Sequence, residues 1–383
     1  MIPSLSPEEI LRYSRHLMIP EVGMEGQRRL KQASVLIVGT GGLGSPVALY
    51  LAAAGIGRIG LVDFDVVDSS NLQRQVIYSS AQVGQLKVES ARQRMLGLNP
   101  YIQVDAHNEV FTSQNAEDLS AGYDILVDGT DNFPTRYLLN DLAVLTGRPY
   151  IYGSIFRFEG QVSVFDARTG PCYRCLFPEP PPPGLVPSCS QAGVFGVLPG
   201  TIGTLQATEV LKLILGIGEP LIGKLVLYDG LELSLQTIRL RKNPTCKICG
   251  THPQLTHLID YEEFCGVPAR STIEDSFTAF DVEPAKLAER ARMGELIQWV
   301  DVREPVELQI SQIPGALNIP SGELAQRLSE FSHDRDVVLF CRTGVRSARA
   351  LTILRASGFD RAFNLRGGIN AYADQVDPSL PKY

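Results

Sequence analysis

Short apolar runs alternate with helix-period stretches along the first 150 residues. The apolar runs predict strands near 34–39, 58–63, 101–106 and 123–128. Between them the pattern predicts helices near 45–55, 86–97 and 134–146. Strand–helix alternation of this kind implies a mostly parallel, doubly wound α/β sheet. Ahead of it, Ser6-Pro7-Glu8-Glu9 reads as an N-cap, a proline at N1 and an acidic first turn, opening a helix that carries Arg12 and Arg15 on one side. Beyond Pro149 the rhythm changes. Tyr150–Ser154 and Gln161–Phe165 predict strands of an antiparallel or mixed extension, and Thr201–Leu215 an amphipathic helix. Phe177–Pro187 holds four consecutive prolines, at 180–183, and reads as an extended, exposed loop. The pattern weakens after Gly250, where a linker over 251–277 is expected. A second alternating unit follows, with strands at Ile297–Asp301, Val337–Phe340 and Ala362–Leu365 and a helix at Ser347–Ser357. The expected domains are therefore 1–250 and 278–383.

Composition narrows the field. A chain of 383 residues, 44% hydrophobic, has length enough for two or three domains with their own cores. The net charge of −7 argues against a nucleic-acid binder. No apolar run reaches the ~20 residues of a membrane span, and the start lacks the basic and apolar regions of a signal peptide, so the cytoplasm is expected. Four of the seven cysteines form two C-x2-C pairs, which favours metal and thiol chemistry over disulfides.

Gly39-Thr40-Gly41-Gly42-Leu43-Gly44 joins the first strand to the following helix, and Asp63 ends the next strand. Such a turn sets bare N–H groups against phosphate, and an acid some 20 residues on can hold a ribose hydroxyl. By itself this suggests a nicotinamide oxidoreductase. Ser70-Asn71-Leu72-Gln73-Arg74, Lys87 and Asp131-Asn132 shift the reading toward a triphosphate with Mg²⁺: Asp131 would hold the metal, and Arg74 and Lys87 would offset phosphate charge. With Leu11-Arg12-Tyr13-Ser14-Arg15, Asp63-Phe64-Asp65, Asn71-Leu72-Gln73-Arg74-Gln75 and Cys172-Tyr173-Arg174-Cys175, the glycine loop and Asp131-Asn132 make six motifs in order over about 5–250. Together they resemble the MoeB/ThiF family, bacterial relatives of ubiquitin-activating enzymes. The resemblance implies a Rossmann-like sheet with a zinc knuckle. It also implies ATP-dependent adenylation of the C-terminal glycine of a ubiquitin-like, MoaD/ThiS-like sulfur carrier ending in Gly-Gly. It assigns Gly42, Asp63, Asn71, Arg74, Lys87, Asp131 and Asn132, in the segment with Ser70, Leu72 and Gln73, to ATP and Mg²⁺. Arg15 would reach into the partner subunit of a homodimer. A non-catalytic module that only binds such a carrier is a rival, but it gives no reason to keep Arg15, Arg74, Lys87 and Asp131 together.

Cys172-x2-Cys175 and Cys246-x2-Cys249 suit a closed, structural Zn²⁺ site. An iron–sulfur centre shares the ligand count, the family resemblance favours zinc, and His252 is read as a surface residue. Cys189, after the proline-rich loop, matches the cysteine that in rhodanese-fused relatives is taken to attack the adenylate. Cys265, in the expected linker, is assigned no role.

Val300-Asp301-Val302-Arg303-Glu304, Ile313–Pro320 and Cys341-Arg342-Thr343-Gly344-Val345-Arg346-Ser347 resemble the rhodanese family over about 278–380. The Cys341 loop runs from strand to helix, and inward N–H groups, the helix dipole, Arg342 and Arg346 would favour a thiolate or persulfide. A cysteine phosphatase would need arginine at 347, where serine stands. Ser311-Gln312-Ile313 departs from the common Gly-His-Ile without touching the nucleophile. The joint expectation is carrier adenylation, then transfer of persulfide sulfur, loaded on Cys341 by a donor such as a cysteine desulfurase or thiosulfate, to give a thiocarboxylate.

Overall fold

The computed structural model describes residues 4–182, 192–266 and 280–383. The chain divides into two compact units, Met1–Ala269 and Arg270–Tyr383.

In the first unit, β1 (Ser34–Val38), β2 (Arg58–Val62), β3 (Gln103–His107), β4 (Ile125–Asp128), β5 (Tyr150–Phe156), β6 (Glu159–Phe165), β7 (Lys224–Asp229) and β8 (Ser234–Arg239) form one sheet, ordered β3-β2-β1-β4-β5-β6-β7-β8. Pairing is parallel from β3 to β5 and antiparallel from β5 to β8; the strands expected at 150–154 and 161–165 are β5 and β6, and the sequence pattern does not announce β7 and β8. The helices are α1 (Pro7–Arg12), α2 (Ser14–Leu17), α3 (Gly23–Gln32), α4 (Gly44–Ala54), α5 (Lys87–Leu98), α6 (Ala116–Ser120), α7 (Phe133–Thr146), α8 (Tyr173–Leu176), α9 (Leu198–Leu215) and α10 (Tyr261–Phe264).

Successive side chains of a strand point to opposite faces, so a continuous apolar run fills two cores at once. Val35, Ile37, Ile59, Leu61 and Val127 pack with α4, α5 and α9 on one face. Leu36, Val38, Leu126 and Tyr150 pack with α7 on the other. The strand order reverses beside β1, so the carboxyl ends of β1 and β4 open a crevice, the usual ligand position in such sheets.

Two expectations need correction. Arg12 and Arg15 do not share one helix: Tyr13, at φ −91° and ψ 11°, separates α1 from α2. Its buried hydroxyl accepts a hydrogen bond from Asn99 Nδ2 at 2.8 Å, which anchors the residue where the two helices meet. The linker expected from 251 also begins too early. Residues 251–266 belong to the first unit, where Tyr261 and Cys265 are buried in the α7 core. Tyr261 donates to Asp141 Oδ2 at 2.9 Å, joining the buried Arg174–Asp141 ion pair.

The second unit is a five-stranded parallel sheet of β9 (Asp281–Val282), β10 (Ile297–Asp301), β11 (Leu317–Asn318), β12 (Asp336–Phe340) and β13 (Ala362–Leu365), ordered β11-β10-β12-β13-β9. α11 (Pro284–Arg292), α12 (Val345–Ala356) and α13 (Gly368–Gln375) pack against it. The two-residue strands β9 and β11, and helices α11 and α13, were not read from the sequence. Among the described residues no helix is long and apolar enough to cross a membrane.

Candidate functional site

Three glycines meet at the crevice. Gly39 has φ +87°, and a Cβ on Gly44 or Gly129 would lie 2.0 or 2.1 Å from the Gly39 carbonyl oxygen. Only bare backbone fits there, so the β1 turn, the start of α4 and the β4 turn are locked together. Gly42 is different. It is half-buried, with Pro199 of α9 and the Arg74 side chain as neighbours, the Pro199 atoms 3.2 Å from its would-be Cβ. Among the described residues, the N–H groups of Gly41, Gly42 and Leu43 donate to no protein acceptor. Free donors at the start of α4 suit an anion such as phosphate.

Asp63, at the end of β2, is held in place: its Oδ2 accepts from Thr40 N at 2.8 Å and Thr40 Oγ1 at 2.9 Å. The Tyr78 hydroxyl, 2.9 Å from the Thr40 carbonyl, braces the same turn. Burial pushes that phenol well above its ordinary value, so it acts as a neutral donor. Ser70 and Asn71 belong to a 3₁₀ turn capped by Asp68. Asn71 Oδ1 accepts from Arg74 NH2 at 3.2 Å and Gln75 Nε2 at 2.8 Å, which aims the arginine along the glycine loop. Leu72 is half-buried against the α4 face of the core, and Gln73 backs Gly196, whose Cβ would lie 2.3 Å from Gln73 Oε1. Lys87 is buried, and its Nζ reaches Asp65 Oδ2 at 3.0 Å.

At the carboxyl end of β4, Asp131 is exposed, and its carboxylate has no partner among the described residues. Asn132 caps α7, its Oδ1 accepting from Thr135 N at 2.9 Å. Arg15 on α2 is exposed and unpaired among the described residues. Thus the crevice gathers the glycine loop, Asp63 and the 70–74 segment, and no side-chain contact joins Arg15 to it among the described residues. Cys189 lies outside the described residues. Tyr78 and Pro199 were missed because neither carries a motif of its own.

Cys172, Cys175, Cys246 and Cys249 converge, all four sulfurs within 4.8 Å of one another. The measured pairs are 3.6 Å (172–246), 3.4 Å (175–249) and 3.9 Å (172–175). Tetrahedral thiolates about 2.3 Å from Zn²⁺ would sit about 3.8 Å apart. This is the donor set and spacing of a structural zinc site, and sulfurs this close leave no space for a cluster with bridging sulfides. Asn243 N donates to Cys175 Sγ at 3.3 Å. Cys172 is the N-cap of the one-turn helix α8 and Cys175 lies within it, while His252 is exposed and outside the group. Between the two cysteines, Tyr173 N donates to Asn140 Oδ1 at 2.7 Å and Arg174 pairs bidentately with Asp141. The knuckle is thereby fastened to α7, the helix whose start carries Asp131 and Asn132.

In the second unit, Cys341 follows central strand β12 and is buried. Gly344, at φ +91°, lets the loop curl so that its N–H donates to Cys341 Sγ at 3.1 Å. Ser347 Oγ is 3.6 Å from the same sulfur. A Cβ on Gly368 would lie 2.3 Å from the Cys341 carbonyl, so α13 starts directly beneath the loop. Arg346 does not add free positive charge as expected: it makes a bidentate pair with Glu307 at 2.6 and 2.7 Å. Burial pushes the Glu307 carboxyl up, but bonds from Arg346 and Tyr383 outweigh it and hold the group below the usual carboxylate range. Glu307 and Tyr383 lie 34 or more positions from Cys341 in sequence, and no local pattern marks them.

A phosphate-type crevice and a four-cysteine knuckle in one α/β unit, with a cysteine loop in a separate parallel α/β unit, mark a two-domain chain that pairs a nucleotide-type site with a thiol site. The ThiF family matches residues 13–248, and a rhodanese-like domain matches 283–375. The chain belongs to the ThiF family and carries a C-terminal rhodanese domain. The Mycobacterium tuberculosis protein named "Probable adenylyltransferase/sulfurtransferase MoeZ" is 50% identical over 386 residues, covering 99% of this chain and 97% of that protein. The "Sulfur carrier protein adenylyltransferase" of Thermus thermophilus is 55% identical over 265 residues, covering 68% of this chain and 98% of its own length. "Adenylyltransferase and sulfurtransferase MOCS3" of Drosophila yakuba is 40% identical, covering 99% and 86%. Among solved structures, E. coli MccB with ATP matches at TM-score 0.55 and 27% identity, over 62% of this chain and 73% of that one. The protein is an adenylyltransferase and sulfurtransferase.

Proposed function

We propose that the first unit adenylates the C-terminal glycine of a ubiquitin-like sulfur carrier, and that Cys341 supplies the sulfur which converts the acyl-adenylate to a thiocarboxylate. The observation that carries this is the co-location, in one crevice, of the free N–H groups of 41–43, fixed Asp63 and directed Arg74. The free donors and Arg74 suit the phosphates of ATP, Asp63 the ribose, and Asp131 is an unpaired carboxylate fit to hold Mg²⁺, which would screen phosphate charge. The carrier carboxylate attacks the α-phosphorus, the bond to the bridging oxygen breaks, and pyrophosphate leaves. That step needs alignment and charge stabilisation, not a protein nucleophile. A persulfide on Cys341 then attacks the acyl carbon and AMP leaves. A second thiolate, for which Cys189 is the candidate, attacks the Cys341 sulfur of the resulting acyl disulfide, so that the carrier thiocarboxylate leaves with the electron pair and a Cys341–Cys189 disulfide remains for a dithiol reductant to reopen. Exposed Arg15 suits a reach into a partner's crevice, and therefore a homodimer.

The test is a single-turnover reaction with ATP, carrier and a persulfide donor. Carrier-AMP should form with Cys341→Ala, and thiocarboxylate should not. Failure to form carrier-AMP with the parent protein would sink the proposal. Thermal protection by NAD(H) but not by ATP–Mg²⁺ would favour the oxidoreductase rival.

A further inference from the structure

Residues 376–383 fold back on the second unit. Leu380 packs with the cluster of Leu287, Phe340 and Ile369, and Lys382 Nζ meets Asp374 at 2.6 Å. This places Tyr383 beside the cysteine loop. Its hydroxyl donates to Glu307 Oε1 at 2.7 Å and accepts from Arg303 NH1 at 2.8 Å. It therefore sits between two ion pairs, Arg303–Asp301 and Arg346–Glu307. Both are closed, so neither arginine offers a free cation.

Arg342, directly after Cys341, is the exception in the loop. It is half-buried, and its guanidinium donates no hydrogen bond among the described residues. Its contact is the Tyr383 ring, with Cζ 5.7 Å from the centroid, inside cation–π range. The ring in turn is pinned by its own hydroxyl. We infer that Tyr383 is a positioning residue for sulfur transfer: its ring holds Arg342 beside Cys341 as the cation that receives an anionic sulfur donor. The inference rests on the reading of Cys341 as the sulfur-carrying thiol.

Thiosulfate is the probe. The Cys341 thiolate attacks the sulfane sulfur, an S–S bond forms, the bond to the sulfonate sulfur breaks, and sulfite leaves with the electron pair. Cyanide then takes the outer sulfur as thiocyanate and restores the thiolate. With the full chain, Arg342→Ala should raise KM for thiosulfate about tenfold, and Tyr383→Ala about fivefold, with kcat within about twofold. Tyr383→Phe keeps the ring but loses the hydroxyl that pins it, and should bring KM back part of the way from the Tyr383→Ala value toward the parent. In the Arg342→Ala background, Tyr383→Ala should add nothing. If Tyr383→Ala unfolds the second unit, Tyr383→Leu, which restores bulk without a π face, should give the same KM. Multiplying effects in the double variant, a fall in kcat at constant KM, or no recovery with phenylalanine would each overturn the inference. Thiocyanate formation by Cys341→Ala would instead overturn the reading beneath it, so the two failures are distinguishable.

Discussion

Glycines of one loop carry different burdens. Gly44→Ala would drive a Cβ to 2.0 Å from the Gly39 carbonyl oxygen, where only backbone can yield. It should lower the melting temperature of the first unit sharply or abolish soluble protein. Gly42→Ala meets Pro199 at 3.2 Å and should cost little stability, so its effect should appear in KM for ATP when pyrophosphate release is followed. Asp131 shows the opposite logic. It is exposed and unpaired, so Asp131→Ala should leave the melting temperature unchanged. If it holds the metal, pyrophosphate release should fall about a hundredfold or more while carrier binding persists, as for loss of a charge-stabilising group. Full activity in that variant would remove Asp131 from the site.

At the scale of elements, the cysteine knuckle and the 251–266 segment both grip α7. Tyr261→Phe removes one hydrogen bond to Asp141 and should destabilise the first unit by about 1 kcal/mol. Asp141→Ala leaves Arg174 buried without its partner and should cost about 3–5 kcal/mol by urea unfolding. Stripping metal with a chelator should lower the first thermal transition and leave the second unchanged. In the second unit, the depressed Glu307 carboxyl adds stability above its unfolded value, near pH ~4.3, and loses it as pH falls through the lower folded value. Glu307→Gln should therefore weaken this unit at pH 7 and flatten its loss of stability between about pH 5 and 3, read by urea midpoints.

For the whole molecule, two separate cores predict two calorimetric transitions in the full chain. They also predict separable half-reactions: Cys341→Ser should lower thiosulfate–cyanide sulfur transfer and leave carrier-AMP formation intact, and Lys87→Ala should lower carrier-AMP formation and leave thiosulfate–cyanide sulfur transfer intact. A fall in carrier-AMP formation with Cys341→Ser would contradict that division of labour.

The strands around the glycine loop and the Cys341 loop were legible because buried apolar runs, turn glycines and paired cysteines are local signals. Their spacing also brought out the four cysteines and the strand–loop–helix around Cys341. The break at Tyr13, the docking of 251–266 and the strands β9 and β11 were not legible. Each depends on a partner distant in sequence: Asn99 for Tyr13, Asp141 for Tyr261, Asn364 and Val300 for the short strands. The charge around Cys341 was decided in the same way. The sequence counted Arg342 and Arg346 as equal cations, whereas tertiary structure neutralises Arg346 with Glu307 and lays Arg342 on Tyr383. Electrostatics at a site is set by which side chains meet across space, and spacing along the chain does not contain that.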